Sequence, residues 1–228
     1  MDPRGGHTGP LLLFTPDGLA LRAEANGALL HIDWLSGVAR TRRRTSRGFR
    51  EPVARALGLG PQWLPEVLDA TAGLGSDAVE IARIGARVTM VERHPALAAL
   101  LADALARAQS SAELKPVCER IRLRHQDALS LLDAGPDFDL VYLDPMFPAR
   151  RKRARVRHSM EQVQALVGDD ADAPALLALA HGRARHRLVV KRPKGAPQLE
   201  GPTPSHCIDA GAVRFDVYVR AGIPRRLG

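Results

Sequence analysis

The sequence predicts an α/β fold, a mostly parallel sheet covered by helices on both faces, with a small β-rich N-terminal appendage. Three observations predict it. From Pro65 onward, strand-like apolar runs alternate with helical runs, which is the pattern of parallel strands joined by helical crossovers. The first of these strands runs into a glycine-containing turn, D-A-T-A-G-L-G, starting at Asp69. The first sixty residues read differently, as short apolar pieces separated by Pro16-Asp17-Gly18 and Asn26-Gly27; Asn-Gly between apolar runs signals a hairpin. The expected division is residues 1–62 as appendage plus connecting helix and residues 63–228 as the main domain.

In the appendage, residues 11–14, 19–22 and 28–34 are strand-like, and a basic stretch at 40–47 precedes a helix at 50–57 that stops at Gly58. In the main domain the strands are expected at 67–70, 87–92, 121–125, 138–143 and 187–191. Helices are expected at 75–84, at 95–108 with a permitted first-turn proline, and at 172–181. Residues 206–209 and 213–219 form a closing hairpin around Gly211, which places an antiparallel strand at the sheet edge.

A chain of 228 residues suits one full-sized domain with an appendage. No apolar run reaches the roughly 20 residues that span a bilayer, and no secretory leader is evident, so the expected location is cytoplasmic. Cys118 and Cys207 have no CxxC or histidine partner spacing, which suggests neither a disulfide framework nor a metal site. The net charge of +8 leans toward a polyanionic partner. Only Lys115, Lys152, Lys191 and Lys194 are lysines, and such an arginine bias also fits GC-rich coding. Where the charge sits therefore matters more than its sum.

Ligands of open α/β sheets bind beyond the carboxyl ends of the strands. At the first end, Gly73 and Gly75 let backbone approach a ligand and let a helix start against the sheet. Asp69 stands at the head of that turn. At the second end Glu92, about twenty residues later, can accept both hydroxyls of a ribose. Together they indicate an adenosine-containing ligand without separating NAD from S-adenosylmethionine. Asp127, before Ala128, either bonds an adenine amino group or caps the following turn. Ser76 and Asp77 either cap the first helix or hold the amino-acid end of a cofactor, which suits helix-terminal N–H groups.

The fourth strand ends in L-D-P-M-F-P, Leu143 through Pro148. An exocyclic base amine is a poor nucleophile because its lone pair is delocalised into the ring. Catalysis needs acceptors that take its N–H bonds and aim that lone pair at an electrophilic methyl. Asp144 offers a carboxylate, the Pro145 carbonyl a second acceptor, and Phe147 a face for stacking. In this scheme the amine attacks in line, and Asp144 orients it and accepts its proton or passes it to water. Directly afterwards come Arg150, Arg151, Lys152, Arg153, Arg155 and Arg157, six basic residues in eight, a run able to hold phosphates. Lys191 and Arg192 close the fifth strand at the same rim and add expected RNA contacts.

With these motifs in place, the chain resembles the RsmJ-type family of bacterial small-subunit ribosomal RNA methyltransferases. The resemblance rests on D-A-T-A-G-L-G at Asp69, V-E-R at Glu92, V-Y-L-D-P-M-F-P at Val141, A-L-V-G at Ala165, V-V-K-R-P at Val189 and R-F-D-V-Y at Arg214. It implies a Rossmann-like class I S-adenosylmethionine-dependent methyltransferase fold, S-adenosylmethionine as cofactor, and the N2 amine of a guanine near the 3′ end of 16S rRNA as target. The partner would be 16S rRNA or the small ribosomal subunit, with no metal and no membrane. It also implies cofactor contacts at Ser76, Asp77, Glu92, Arg93, Asp127, Ala128 and Asp144. Ser76 stands where the family pattern suggests arginine, and Asp127-Ala128 where it suggests Ser-Ser. The competing readings are an adenine-N6 nucleic-acid methyltransferase, an NAD-dependent oxidoreductase and a non-catalytic RNA-binding module. The oxidoreductase would need a catalytic His, Lys or Tyr above the sheet; His125 has no obvious partner and Tyr142 lies within a strand.

Overall fold

The computed structural model describes residues 10–22, 28–35, 48–147 and 172–224. Three short strands, β1 (Leu11–Thr15), β2 (Gly18–Arg22) and β3 (Leu30–His31), form an antiparallel sheet in that order. A 3-10 turn at Gly48–Arg50 leads into α1 (Pro52–Leu57), which opens on proline and closes at Gly58 with φ 72°, where a left-handed backbone favours glycine. The larger part follows as β4 (Glu66–Asp69), α2 (Ser76–Ile84), β5 (Arg87–Glu92), α3 (Pro95–Gln109), α4 (Lys115–Cys118), β6 (Ile121–His125), α5 (Ala128–Ala134), β7 (Phe138–Leu143), α6 (Ala173–Arg183), β8 (Ala184–Pro193), β9 (His206–Ala210) and β10 (Val213–Val219).

The seven strands are ordered β6-β5-β4-β7-β8-β10-β9. Pairs β5–β6, β4–β5, β4–β7 and β7–β8 are parallel, while β10 runs antiparallel to both β8 and β9. The chain starts at β4, steps outward to β6, then returns to place β7 on the other side of β4. That reversal leaves a crevice at the carboxyl ends of β4 and β7, where open α/β sheets bind ligands.

Alternation along the strands separates two apolar layers. Val67, Leu140, Tyr142 and Val189 face the layer built with α1 to α4 and the three-stranded sheet. Leu68, Val141, Leu143 and Val190 face the layer built with α5 and α6. The N-terminal sheet lies on α3: Leu19 N donates to Asp103 Oδ2 at 3.1 Å and Arg107 Nη2 to the Ile32 carbonyl at 2.6 Å. Leu21, Leu30, Ile32 and Trp34 are buried there.

The expected strands β5, β6, β7 and β10 have the bounds read from the sequence. The expected strand at 28–34 narrows to Leu30–His31, because Ile32 and Trp34 turn into the core instead of continuing the ladder. Two helices were not foreseen. α4 is a single turn opened by a proline, and α5 is two turns nucleated by the Asp127 cap; both are too short to show a helical period. The Asn26-Gly27 turn and the basic stretch at 40–47 lie outside the described residues.

Candidate active site

A cavity of about 550 Å³ opens over the carboxyl ends of β4, β5, β7 and β8. Its wall includes Asp69, Gly73, Ser76, Asp77, Glu92, Arg93, Asp127, Ala128, Asp144, Pro145 and Phe147, together with Lys191 and Arg192. The structure thus brings the expected cofactor and chemistry residues to one place, with one exception. Gly75 is not part of the wall. It is the N-cap of α2 at φ 72°, and a Cβ there would lie 2.7 Å from Trp34 Cζ2 and 2.9 Å from Leu101 Cδ2. Its role is therefore to let the turn pack on the core, whereas a Cβ on Gly73, at φ 54°, would meet nothing closer than the Thr71 carbonyl at 3.9 Å. The basic residues Arg150, Arg151, Lys152, Arg153, Arg155 and Arg157, and Pro148 before them, lie outside the described residues.

Glu92, buried at the end of β5, is pinned by backbone. Gly73 N donates to its Oε2 at 3.1 Å and His94 N to its Oε1 at 2.8 Å. These bonds orient the carboxylate against the glycine turn. Arg93 reaches the start of α6, its Nη1 2.6 Å from Asp172 Oδ2.

Asp127 is the N-cap of α5, since its Oδ2 accepts from Ser130 N and Ser130 Oγ, each at 2.9 Å. Burial opposes ionisation there, but the bonds from Ser130 and Leu129 and the charge of Arg93 outweigh it and hold the carboxyl below its usual range. Ser76 and Asp77, by contrast, do not cap α2, whose N-cap is Gly75 with no side-chain bond. Asp77 turns inward, where its Oδ2 accepts from Tyr142 Oη at 2.7 Å and from Lys191 Nζ at 2.6 Å.

Asp144 continues β7 beside β8. The register pairs Leu143 with Val190, so the next residues, Asp144 and Lys191, stand side by side, with Lys191 Nζ 2.9 Å from Asp144 Oδ2. Asp144 N donates to Thr71 Oγ1 at 2.6 Å, which ties β7 to the glycine turn. Burial raises the Asp144 carboxyl to about 6; the Lys191 ammonium opposes that rise and the Asp77 carboxylate adds to it. Asp69, 2% exposed, is pushed to about 8, first by burial and then by Asp77. Burial, then Asp77 and Asp144, push the Tyr142 phenol well above its usual value.

Lys191 and Arg192, expected to contact RNA, line the cavity wall and also meet acceptors within the chain. Lys191 lies between Asp77 and Asp144. Arg192 is buried, its Nε 2.6 Å from Asp216 Oδ2, and donates to the Ala196 carbonyl. Both cations are satisfied by internal acceptors. Thr71, Tyr142 and Trp34 were missed from the sequence. Tyr142 had a signal, because it lies two residues before Asp144 on one strand and so shares its face. Thr71 had none beyond its place in the turn.

The wall fits S-adenosylmethionine. Gly73 leaves backbone accessible, Glu92 is a fixed buried acceptor, and the carboxyls of Asp77 and Asp144 outnumber the one ammonium between them, which suits a ligand carrying sulfonium and ammonium charges. Among the described residues, no group of three His, Cys, Asp or Glu side chains could hold a metal ion, and no helix is long and apolar enough to cross a membrane.

Comparison with known proteins agrees with this geometry. The family described as "Putative SAM-dependent methyltransferase" matches residues 6–220. The proteins named ribosomal RNA small subunit methyltransferase J from Chromohalobacter salexigens and Dechloromonas aromatica are 45% and 40% identical to this chain. The matches cover 93% of this chain and 86% of the first, and 97% of this chain and 92% of the second. A crystal structure of a SAM-dependent methyltransferase from Neisseria gonorrhoeae superposes with a TM-score of 0.74 at 34% identity, covering 99% of this chain and 89% of that one. The chain therefore belongs to the family of S-adenosylmethionine-dependent methyltransferases that includes ribosomal RNA small subunit methyltransferase J.

Proposed function

We propose that the enzyme methylates the exocyclic N2 of a guanine near the 3′ end of 16S rRNA. The observation that carries this reading is the position of Asp144. It stands at the cavity rim between the glycine turn and β8, and Pro145, Met146 and Phe147 follow it along the same wall. The relatives' name supports the choice of small-subunit ribosomal RNA. The choice of guanine N2 comes from the D-P-M-F-P motif that the chain shares with the RsmJ-type family.

S-adenosylmethionine, when bound, supplies an electrophilic methyl on its sulfonium. Glu92 would hold its ribose, α2's first turn with Ser76 and Asp77 its amino-acid end, and Ala128 with Asp127 the adenine edge. Asp144 accepts an N–H of the target amine and so aims the nitrogen lone pair. The Pro145 carbonyl takes the second N–H, and Phe147 stacks on the base. The proton released on transfer goes to Asp144 or through it to water. The basic run from Arg150 to Arg157 would hold flanking phosphates, and the substrate would be met in the cytoplasm as rRNA or as the small subunit.

The test is to map methylated nucleotides in 16S rRNA with and without this protein, with nucleoside mass spectrometry to identify the modified base. N2-methylguanosine that depends on the enzyme supports the reading. N6-methyladenosine in its place would transfer the same chemistry to adenine. Wild-type-like turnover by Asp144→Ala would remove the mechanism.

A further inference from the structure

Asp144 must accept a hydrogen bond from the amine, and a protonated carboxyl offers its hydroxyl as a donor instead. Its surroundings work against ionisation. Asp77 from α2 adds negative charge nearby, while Asp69 from β4, raised to about 8, and the Tyr142 phenol from its own strand stay uncharged near neutrality. Across β8, β10 sets apolar Phe215 opposite Lys191, and its Asp216 is taken by Arg192. The cation that meets Asp144 is Lys191, whose Nζ is 2.6 Å from Asp77 Oδ2 and 2.9 Å from Asp144 Oδ2.

We propose that Lys191 is a positioning residue for methyl transfer: anchored by Asp77, its ammonium holds the Asp144 carboxylate ionised and turned so that one oxygen remains for the substrate amine. The inference rests on the reading that Asp144 receives that amine. Three features support it. The ammonium contacts Asp144 at a single oxygen, Oδ2. Tyr142 and Lys191 converge on the same Asp77 oxygen, which fixes the anchor. Burial disfavours the lysine's charge, but Asp144 and Asp77 overcome it and raise its pKa, so the cation persists through neutral pH.

Lys191→Gln keeps a hydrogen-bond donor and removes the charge. An opposite charge at this range lowers a carboxyl by about one to three units. The acid limb of the kcat–pH profile should therefore move up by about one to three units in this variant. Turnover near neutrality falls by about tenfold or more and recovers toward alkaline pH. Lys191→Arg should keep the wild-type limb, and Asp77→Asn, which removes the like charge, should move it down. Carbon-13 NMR of the aspartate carboxyls, assigned with Asp144→Asn, should show the same displacements without any ligand. Circular-dichroism melting curves establish that each variant is folded. If Lys191→Gln does not fold, Lys191→Met, of similar length and uncharged, decides the sign. Limbs that stay in place, with losses equal at all pH values, would overturn the proposal. Wild-type-like turnover by Asp144→Ala would instead remove the reading on which it rests.

Discussion

Trp34, in the N-terminal segment, donates its indole N–H to the backbone carbonyl of Leu74 at 3.0 Å. Leu74 belongs to the glycine turn, and the same indole packs where a Cβ on Gly75 would fall. The N-terminal sheet thus braces the loop that lines the cavity. Trp34→Phe keeps a ring in the core and removes the donor. We expect about 0.5–1.5 kcal/mol lower stability in urea titration and weaker binding of S-adenosylhomocysteine. Unchanged binding would mean that the turn holds its shape without this bond.

Asp127 accepts two bonds through one oxygen, Oδ2, from Ser130. Serine caps helices about as well as aspartate, so Asp127→Ser separates the cap from any contact made by the other carboxylate oxygen. We expect melting temperature to stay close to wild type. S-adenosylhomocysteine should bind about two- to tenfold more weakly, the loss of one hydrogen bond. Equal affinity in calorimetry would leave Asp127 as a cap alone.

Arg192 and Asp216 form a buried pair, with Asp216 1% exposed. Arg214 Nε adds a contact to Asp216 Oδ1 at 3.0 Å. Asp216→Ala leaves the Arg192 guanidinium buried without its carboxylate, which typically costs about 3–5 kcal/mol. Chemical denaturation should show a loss of that order. A loss below about 1 kcal/mol would indicate that water reaches Arg192 and replaces the partner.

Particular residues show what was legible in the chain before folding. The strands β5 and β7 were readable because each is a largely apolar or β-branched run that leads to a carboxylate at the cavity rim, Glu92 or Asp144, and β6, Ile-Arg-Leu-Arg-His, because it alternates. Glu92 and Asp144 were readable because a carboxylate at a strand end has a place in an α/β fold whatever the details. The contact of Lys191 with Asp144 was not legible, and the reason is register. Its nearness to Asp144 depends on Leu143 pairing with Val190, and parallel pairing between strands with a helix between them leaves no local mark on either. The pairing of Arg192 was hidden for a related cause, because its partner Asp216 comes from β10, which inserts between β8 and β9. Trp34 looked like strand, yet its value lies in a contact with a turn forty residues away.

Asp69 gives the sharpest dependence on pH. Burial, and then the Asp77 carboxylate, raise it from 3.8 to about 8. The folded chain therefore keeps a proton on Asp69 across a range in which the unfolded chain has released it. Folding stability falls as pH rises through that window, by up to about 1.4 kcal/mol per pH unit from this group. Below the ordinary carboxylate range both states are protonated and the group contributes no slope. Asp69→Asn removes the titration, and its amide oxygen can still accept the Thr71 N–H now bonded at 3.2 Å. The variant should melt higher than wild type near pH 8, with the gap closing as pH falls toward about 4. Melting curves at matched ionic strength would check this. A gap that stays constant with pH, or a wild type more stable at pH 8, would show that Asp69 is ionised in the folded enzyme and that the Lys191 ammonium, already shared by Asp77 and Asp144, compensates a third carboxylate as well.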